Sequence, residues 1–139
     1  MKVELSYPII VLSKNDNMVY VYFKERDFNS TSEDLLKKID YTNLEVIDSL
    51  GHNYKIKRAY KVKYLGLWGY NPLLKGRQIL IDFEYDSEVQ VVSLESFKEE
   101  IIKKLEEKKK FWEASYDLQE LKQSVYQSQS FSMIAQLLK

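Results

Sequence analysis

The chain contains no cysteine, which removes disulfides, zinc-thiolate sites and cysteine nucleophiles together. Its single histidine, His52, falls in a predicted turn, with nothing around it from which to build a His-containing zinc or iron site. A Ser-His-Asp arrangement would have to converge on that one turn residue, and no G-x-S-x-G elbow occurs. Glycine is scarce at four residues, and the spacing in Gly66-Leu67-Trp68-Gly69 fits neither a dinucleotide fingerprint nor a phosphate loop. Gly76 is followed by Arg77-Gln78 instead of Lys-Ser/Thr. The run Asn15-Asp16-Asn17 lacks the spaced ligands and closing Glu of a calcium loop. Near the start the longest uninterrupted apolar run is Pro8 to Leu12, far short of a membrane span, and no signal-peptide pattern precedes it. These absences lead us to expect a cytoplasmic protein without membrane association, metal, cofactor or catalytic residues.

What is present describes one folded domain over residues 1–139, with 45% apolar and 30% charged residues. Aromatic residues reach 14%, including 11 Tyr, a composition that suits half-buried sheet faces and interfaces alike. Formal net charge is zero, yet charge is segregated. Residues 51–77 carry 7 basic groups and no acid, and residues 78–107 carry 3 basic groups and 9 acids. A wholly basic block suits phosphates or an acidic protein surface, unless the acidic block that follows neutralises it.

Periodicity favours the second account. Tyr7 to Ser13 and Met18 to Phe23 flank the turn chemistry of Lys14-Asn15-Asp16-Asn17, which predicts a β-hairpin. Leu44 to Asp48 predicts a third strand, followed by the turn "DSLGHN" with Gly51 in the left-handed conformation. From Tyr54 to Tyr64 the pattern alternates, placing Tyr54, Ile56, Tyr60, Val62 and Tyr64 on one face and Lys55, Lys57, Lys61 and Lys63 on the other. Ile79 to Asp86 alternates similarly. If these two strands pair, the lysine face lies beside Asp82, Glu84 and Asp86, so nucleic acid is not an expected partner. Asp82 and Glu84, roughly 7 Å apart on one strand face, are the nearest approach to a catalytic carboxylate pair, and a salt-bridged outer face accounts for them better.

Ser30 and Thr31, each three residues before an acid, predict a capped start for the short helix in "SEDLLKKI". Val89 to Val92 is a candidate sixth strand. From Ser93 the spacing of Leu94, Phe97, Ile101, Leu105 and Trp112 becomes helical, with Lys108, Lys109 and Lys110 at the far end. Two further helices follow, with Leu118, Leu121 and Val125, then Phe131, Ile134, Leu137 and Leu138, as buried stripes. The expected fold is α+β: an antiparallel sheet of about five to six strands, mainly within residues 1–92, with helices from 93–139 packed on one face.

The stretch "GLWGYNPLLKGR", residues 66–77, is too interrupted by Gly and Pro for a regular element and too apolar for an ordinary loop. Either it plugs the end of the sheet or it presents Trp, Tyr and Arg, the residue types that dominate interface hot spots. We expect a split, with Leu67 and Leu73 inward. Trp68, Tyr70, Leu74, Lys75 and Arg77 are then the candidate partner-binding residues.

The opening half, "YPIIVLSKNDNMVYVYF" and "DLLKKIDYTNLEVIDSLGHNYKIKRAYKV", resembles small cytoplasmic bacterial immunity proteins encoded beside polymorphic or contact-dependent toxins. The likeness does not extend to the helical end from Ser93 to Lys139. It implies a single-domain, non-enzymatic protein that covers a toxin's active site or locks it shut, and it assigns no binding residue, because these are not shared within the group. The expected function is therefore stoichiometric binding of a protein partner, a toxin domain. Self-association as a structural or adaptor module, with a homodimer formed through the loop or the Tyr-rich face, is the alternative.

Overall fold

The computed structural model describes residues 3–65 and 78–139. The described chain runs β1 (Ile9–Ser13), β2 (Val19–Tyr22), α1 (Glu25–Phe28), β3 (Ser30–Ser32), α2 (Glu33–Lys38) and a 3-10 turn (Tyr41–Asn43). There follow β4 (Leu44–Ile47), β5 (His52–Tyr64), β6 (Gln78–Tyr85), β7 (Gln90–Val91), α3 (Leu94–Glu107), α4 (Lys109–Glu113), α5 (Leu118–Gln127) and α6 (Phe131–Leu137). The strands form one antiparallel sheet in the order β2-β1-β4-β5-β6-β3, with β7 added alongside β5. The fold is α+β, as expected. Among the described residues no helix is long and apolar enough to cross a membrane.

The sheet separates two apolar clusters. Strand β1 is central and buried along its whole length, which is why its sequence is a continuous apolar run and not an alternation. Ile10 and Leu12 face the C-terminal helices together with Ile47, Phe97, Ile101, Leu105, Val125 and Ile134. Ile9 and Val11 face the opposite way, into a second cluster with Val46, Tyr54, Ile56, Ile79, Ile81 and Phe83. Phe28 of α1 joins that second cluster, stacked on Phe83 at 4.5 Å.

The helical end is built from caps and one apolar stripe per helix. Ser93, Asp117 and Ser130 each accept an N–H bond from the third residue onward, at 3.1, 3.2 and 3.1 Å. The expected continuous helix to Trp112 is instead two, because the chain leaves helical geometry at Lys108 (φ −113°, ψ 38°) and Trp112 enters the core from α4. Two lysines are buried there. Lys98 donates to the Tyr126 carbonyl at 2.9 Å and Lys104 to the Ser13 carbonyl at 3.3 Å, so each ammonium ties α3 to another element.

The turn after β4 is organised by Asp48, which is 1% exposed. Its carboxylate accepts from the backbone N–H groups of Leu50 (3.1 Å) and His52 (3.0 Å) and faces the His52 ring at 3.7 Å. His52 is not the turn residue expected of it but the first residue of β5, paired with Val91 of β7. Gly51 has φ +82°, the left-handed conformation expected of it.

Three further expectations change. Ser30–Ser32 is a strand paired with β6, and Ser32, not Ser30 or Thr31, caps α2 by accepting from Leu35 N–H. Second, the alternation of residues 54–64 does not hold as one face. Register shifts between Ile56 and Arg58 and between Lys61 and Lys63 turn the strand over, so Tyr60 (37% exposed) and Val62 (51%) leave the apolar side. Third, the lysine-to-acid matching is partial. Glu84 takes Arg58 at 2.7 Å and Lys57 at 3.8 Å, and the Arg58 guanidinium holds its carboxyl below the usual range. Lys61 pairs across the sheet with Ile81 and reaches Glu33 at the start of α2, 3.1 Å away.

Candidate partner-binding groove

The expected binding residues Trp68, Tyr70, Leu74, Lys75 and Arg77, with Leu67 and Leu73, lie outside the described residues. Asp82 and Glu84 stand opposite Tyr60 and Arg58 on β5. Glu84 is committed to its ion pairs, and Asp82 accepts from the N–H of Phe83 at 2.8 Å. Among the described residues no group of three or more His, Asp and Glu is placed to hold a metal ion.

The structure assembles a different feature. Strands β2 and β3 are the two ends of the sheet path, and the chain crosses from one to the other through α1. The segment from α1 to the 3-10 turn therefore lies over the second cluster without closing it. An open groove of about 420 Å³ remains. Tyr22, Phe28 and Tyr41 bring rings to its wall: Tyr22 and Phe28 lie 5.0 Å apart, and Phe83, outside the lining, packs against Phe28 and Tyr41 at 4.5 and 5.6 Å. Tyr20 (40% exposed), Leu35 (48%) and Ile39 (39%) bring large apolar surface to its mouth.

Short polar side chains line the rest. Asp16 and Asp40 are the only ionised groups among the lining residues, which also include Asn15, Asn43, Ser30 and Thr31. Both acids are held in place. Asp16 accepts from Met18 N–H at 3.0 Å. Asp40 caps the 3-10 turn, accepting from Thr42 N–H at 3.1 Å and the Asn43 amide at 2.7 Å. Carboxylate oxygens have further acceptor capacity, so the rim offers negative charge and acceptors around an aromatic floor. That combination receives an apolar side chain flanked by a cation or N–H donors.

Sequence reasoning did not find this groove. Leu35 and Ile39, four residues apart in the helix expected over "SEDLLKKI", carried a signal, since an apolar pair at that spacing needs a partner, although the helix ends at Lys38 and Ile39 is extended. Nothing in the spacing told that the second cluster would leave them half-covered.

Burial raises the phenol pKa of Tyr22 and Tyr41 above the ordinary 10.0. Tyr7 and Tyr85 move the same way, by burial first, with the charge of Glu25 adding at Tyr7 and neighbouring Tyr7 and Asp82 adding at Tyr85. A raised folded-state pKa means the native state holds these protons more tightly than the unfolded chain. The associated stability is fully present below pH 10.0 and is lost as pH rises past it. The urea midpoint is therefore expected to be steady from pH 7 to 9 and to fall steeply above about 10, with part of the 295 nm phenolate absorbance appearing only on unfolding. A midpoint unchanged at pH 11 counts against burial of these hydroxyls.

No family model, curated protein or solved structure matches the chain.

Proposed function

We propose that this protein is a non-enzymatic, stoichiometric binding protein, and that its partner is a toxin domain that it neutralises in the cytoplasm as an immunity protein. The observation that carries the reading is the groove, where Tyr20, Leu35 and Ile39 expose large apolar surface side by side above a ring-lined floor. Exposed apolar surface gathered in a cleft with a polar rim marks an interaction site. The resemblance of the opening half to immunity proteins supplies the partner class. The composition of residues 66–77 adds Trp68, Tyr70, Leu74, Lys75 and Arg77 as further anchors of hot-spot type.

The test mixes the purified chain with the toxin domain encoded beside its gene. A one-to-one complex on gel filtration, with loss of the toxin's activity, is the expected result. No complex with any neighbouring toxin removes the immunity reading, and a stable dimer of the chain alone at micromolar concentration supports self-association in its place. Within the complex, Trp68→Ala is expected to weaken binding by on the order of 2 kcal/mol, about thirtyfold, while the melting temperature stays where it was. Full binding by a variant that melts normally takes residues 66–77 out of the interface.

A further inference from the structure

We propose that the outer edge of β2 and the adjoining groove form one docking site for an extended, lysine- or arginine-bearing segment of the partner protein, which adds to the sheet as an antiparallel or parallel neighbour of β2. The proposal rests on the binding role proposed above and names the chemistry that the site recognises.

The hydrogen-bond register of the hairpin decides which backbone groups are free. Ser13 N–H donates to the Met18 carbonyl at 3.0 Å, so residues 13 and 18 form a bonded pair. Bonded and non-bonded pairs alternate along an antiparallel ladder, which makes Val11 with Tyr20 and Ile9 with Tyr22 bonded pairs as well. Val19 and Val21 therefore direct their N–H and C=O groups away from β1, Val21 being the more accessible of the two because Val19 is only 5% exposed. Among the described residues β2 ends the sheet on that side, and a sheet edge is a template for another strand.

The same register points the side chains. Tyr20 and Tyr22 stand opposite Val11 and Ile9, whose side chains belong to the second cluster. Both tyrosines thus face the groove, while Val19 and Val21 face the helices. A strand laid along β2 would bond to Val19 and Val21 and project every second side chain into the groove beside Tyr20, Leu35 and Ile39. Charge selects among such strands. The lining residues include Asp16 and Asp40 and no lysine, arginine or histidine, so a segment carrying cations gains at the rim and one carrying acids loses.

The test uses the full chain, labelled with ¹⁵N, and three synthetic probes: an alternating valine–threonine peptide with a lysine near each end, the same peptide with glutamates, and the lysine peptide N-methylated at alternate amides. The lysine peptide is expected to shift the amide signals of Val19 to Tyr22 and to slow hydrogen exchange at Val19 and Val21. The glutamate peptide should bind roughly tenfold more weakly or worse, and N-methylation should abolish binding. Val21→Pro removes one outward N–H at an edge position where proline is tolerated, and it should weaken the lysine peptide roughly tenfold with the β1 pairing intact. The double variant D16N/D40N removes both charges while keeping one acceptor oxygen at each turn, and it should narrow the gap between the lysine and glutamate peptides. Shifts elsewhere, equal binding of both peptides, or β2 signals that shift only as the chain itself dimerises would overturn the proposal. A toxin complex unaffected by Val21→Pro would refute the β2 site and leave the immunity role standing, whereas β2-directed peptide binding without any toxin complex would do the reverse.

Discussion

Phe97→Ala is expected to cost about 3–5 kcal/mol, the range for truncating a large buried aromatic side chain. Phe97 is 0% exposed, and it meets Phe131 of α6 with ring centroids 5.1 Å apart. The cluster around it joins β1 and β4 to α3, α5 and α6. Removing the ring leaves a cavity at the junction of sheet and helices, and those rigid elements cannot all move in to fill it. A domain of ordinary stability, about 5–15 kcal/mol, loses a large share of it. Urea denaturation followed by circular dichroism checks this, and Phe97→Leu, which refills most of the volume, should recover more than half of the loss. A midpoint unchanged by the alanine variant would mean that α3 does not pack on the sheet as described.

Gly51→Val carries the second large effect, and its cause lies in the backbone. With φ at +82°, any Cβ at this position is strained, and a Cβ would also lie 2.9 Å from Cε2 of Phe131 and 3.1 Å from the Val92 carbonyl oxygen. Left-handed strain costs about 1–2 kcal/mol and forced overpacking about 1–3, so the sum is about 2–5 kcal/mol. Gly51→Asn tests the two parts separately, since asparagine tolerates the left-handed region better than valine yet brings a Cβ of its own. It should fall between wild type and valine. Pairing Gly51→Val with Phe131→Leu relieves the contact with the ring and should return part of the loss. Equal stability of the valine variant and wild type would show that this turn does not close against α6.

Several elements were legible in the sequence because their cause is local. The hairpin of β1 and β2 follows from two apolar runs around Asn15-Asp16-Asn17, and Asn17 takes the positive φ of 56° that such a turn needs. The switch from strand to helical period at Ser93 put Phe97, Ile101 and Leu105 on one stripe, and all three are fully buried. Gly51 was legible as a left-handed residue from its place in "DSLGHN". The groove was not legible, because its walls come from Tyr20 and Tyr22 on one strand, Phe28 on α1, Leu35 on α2 and Ile39 just after it. These residues share no spacing, and only the path of the chain between the two ends of the sheet brings them together.

The sequence by itself determined the β1–β2 hairpin, the left-handed turn at Gly51 and the capped helical period that begins at Ser93, since these depend on neighbours within a turn or a pleat. Tertiary structure alone decided three things. It made Ser30–Ser32 a strand, because the edge of β6 offered partners that local propensity could not foresee. It turned β5 over at two register shifts, exposing Tyr60 and Val62 and sending Lys61 to Glu33, because a bulge answers to the partner strand and not to the residues around it. Among the described residues it also left the groove open beside β2, because two short helices and a three-residue strand do not cover an apolar cluster drawn from β1, β4, β5 and β6.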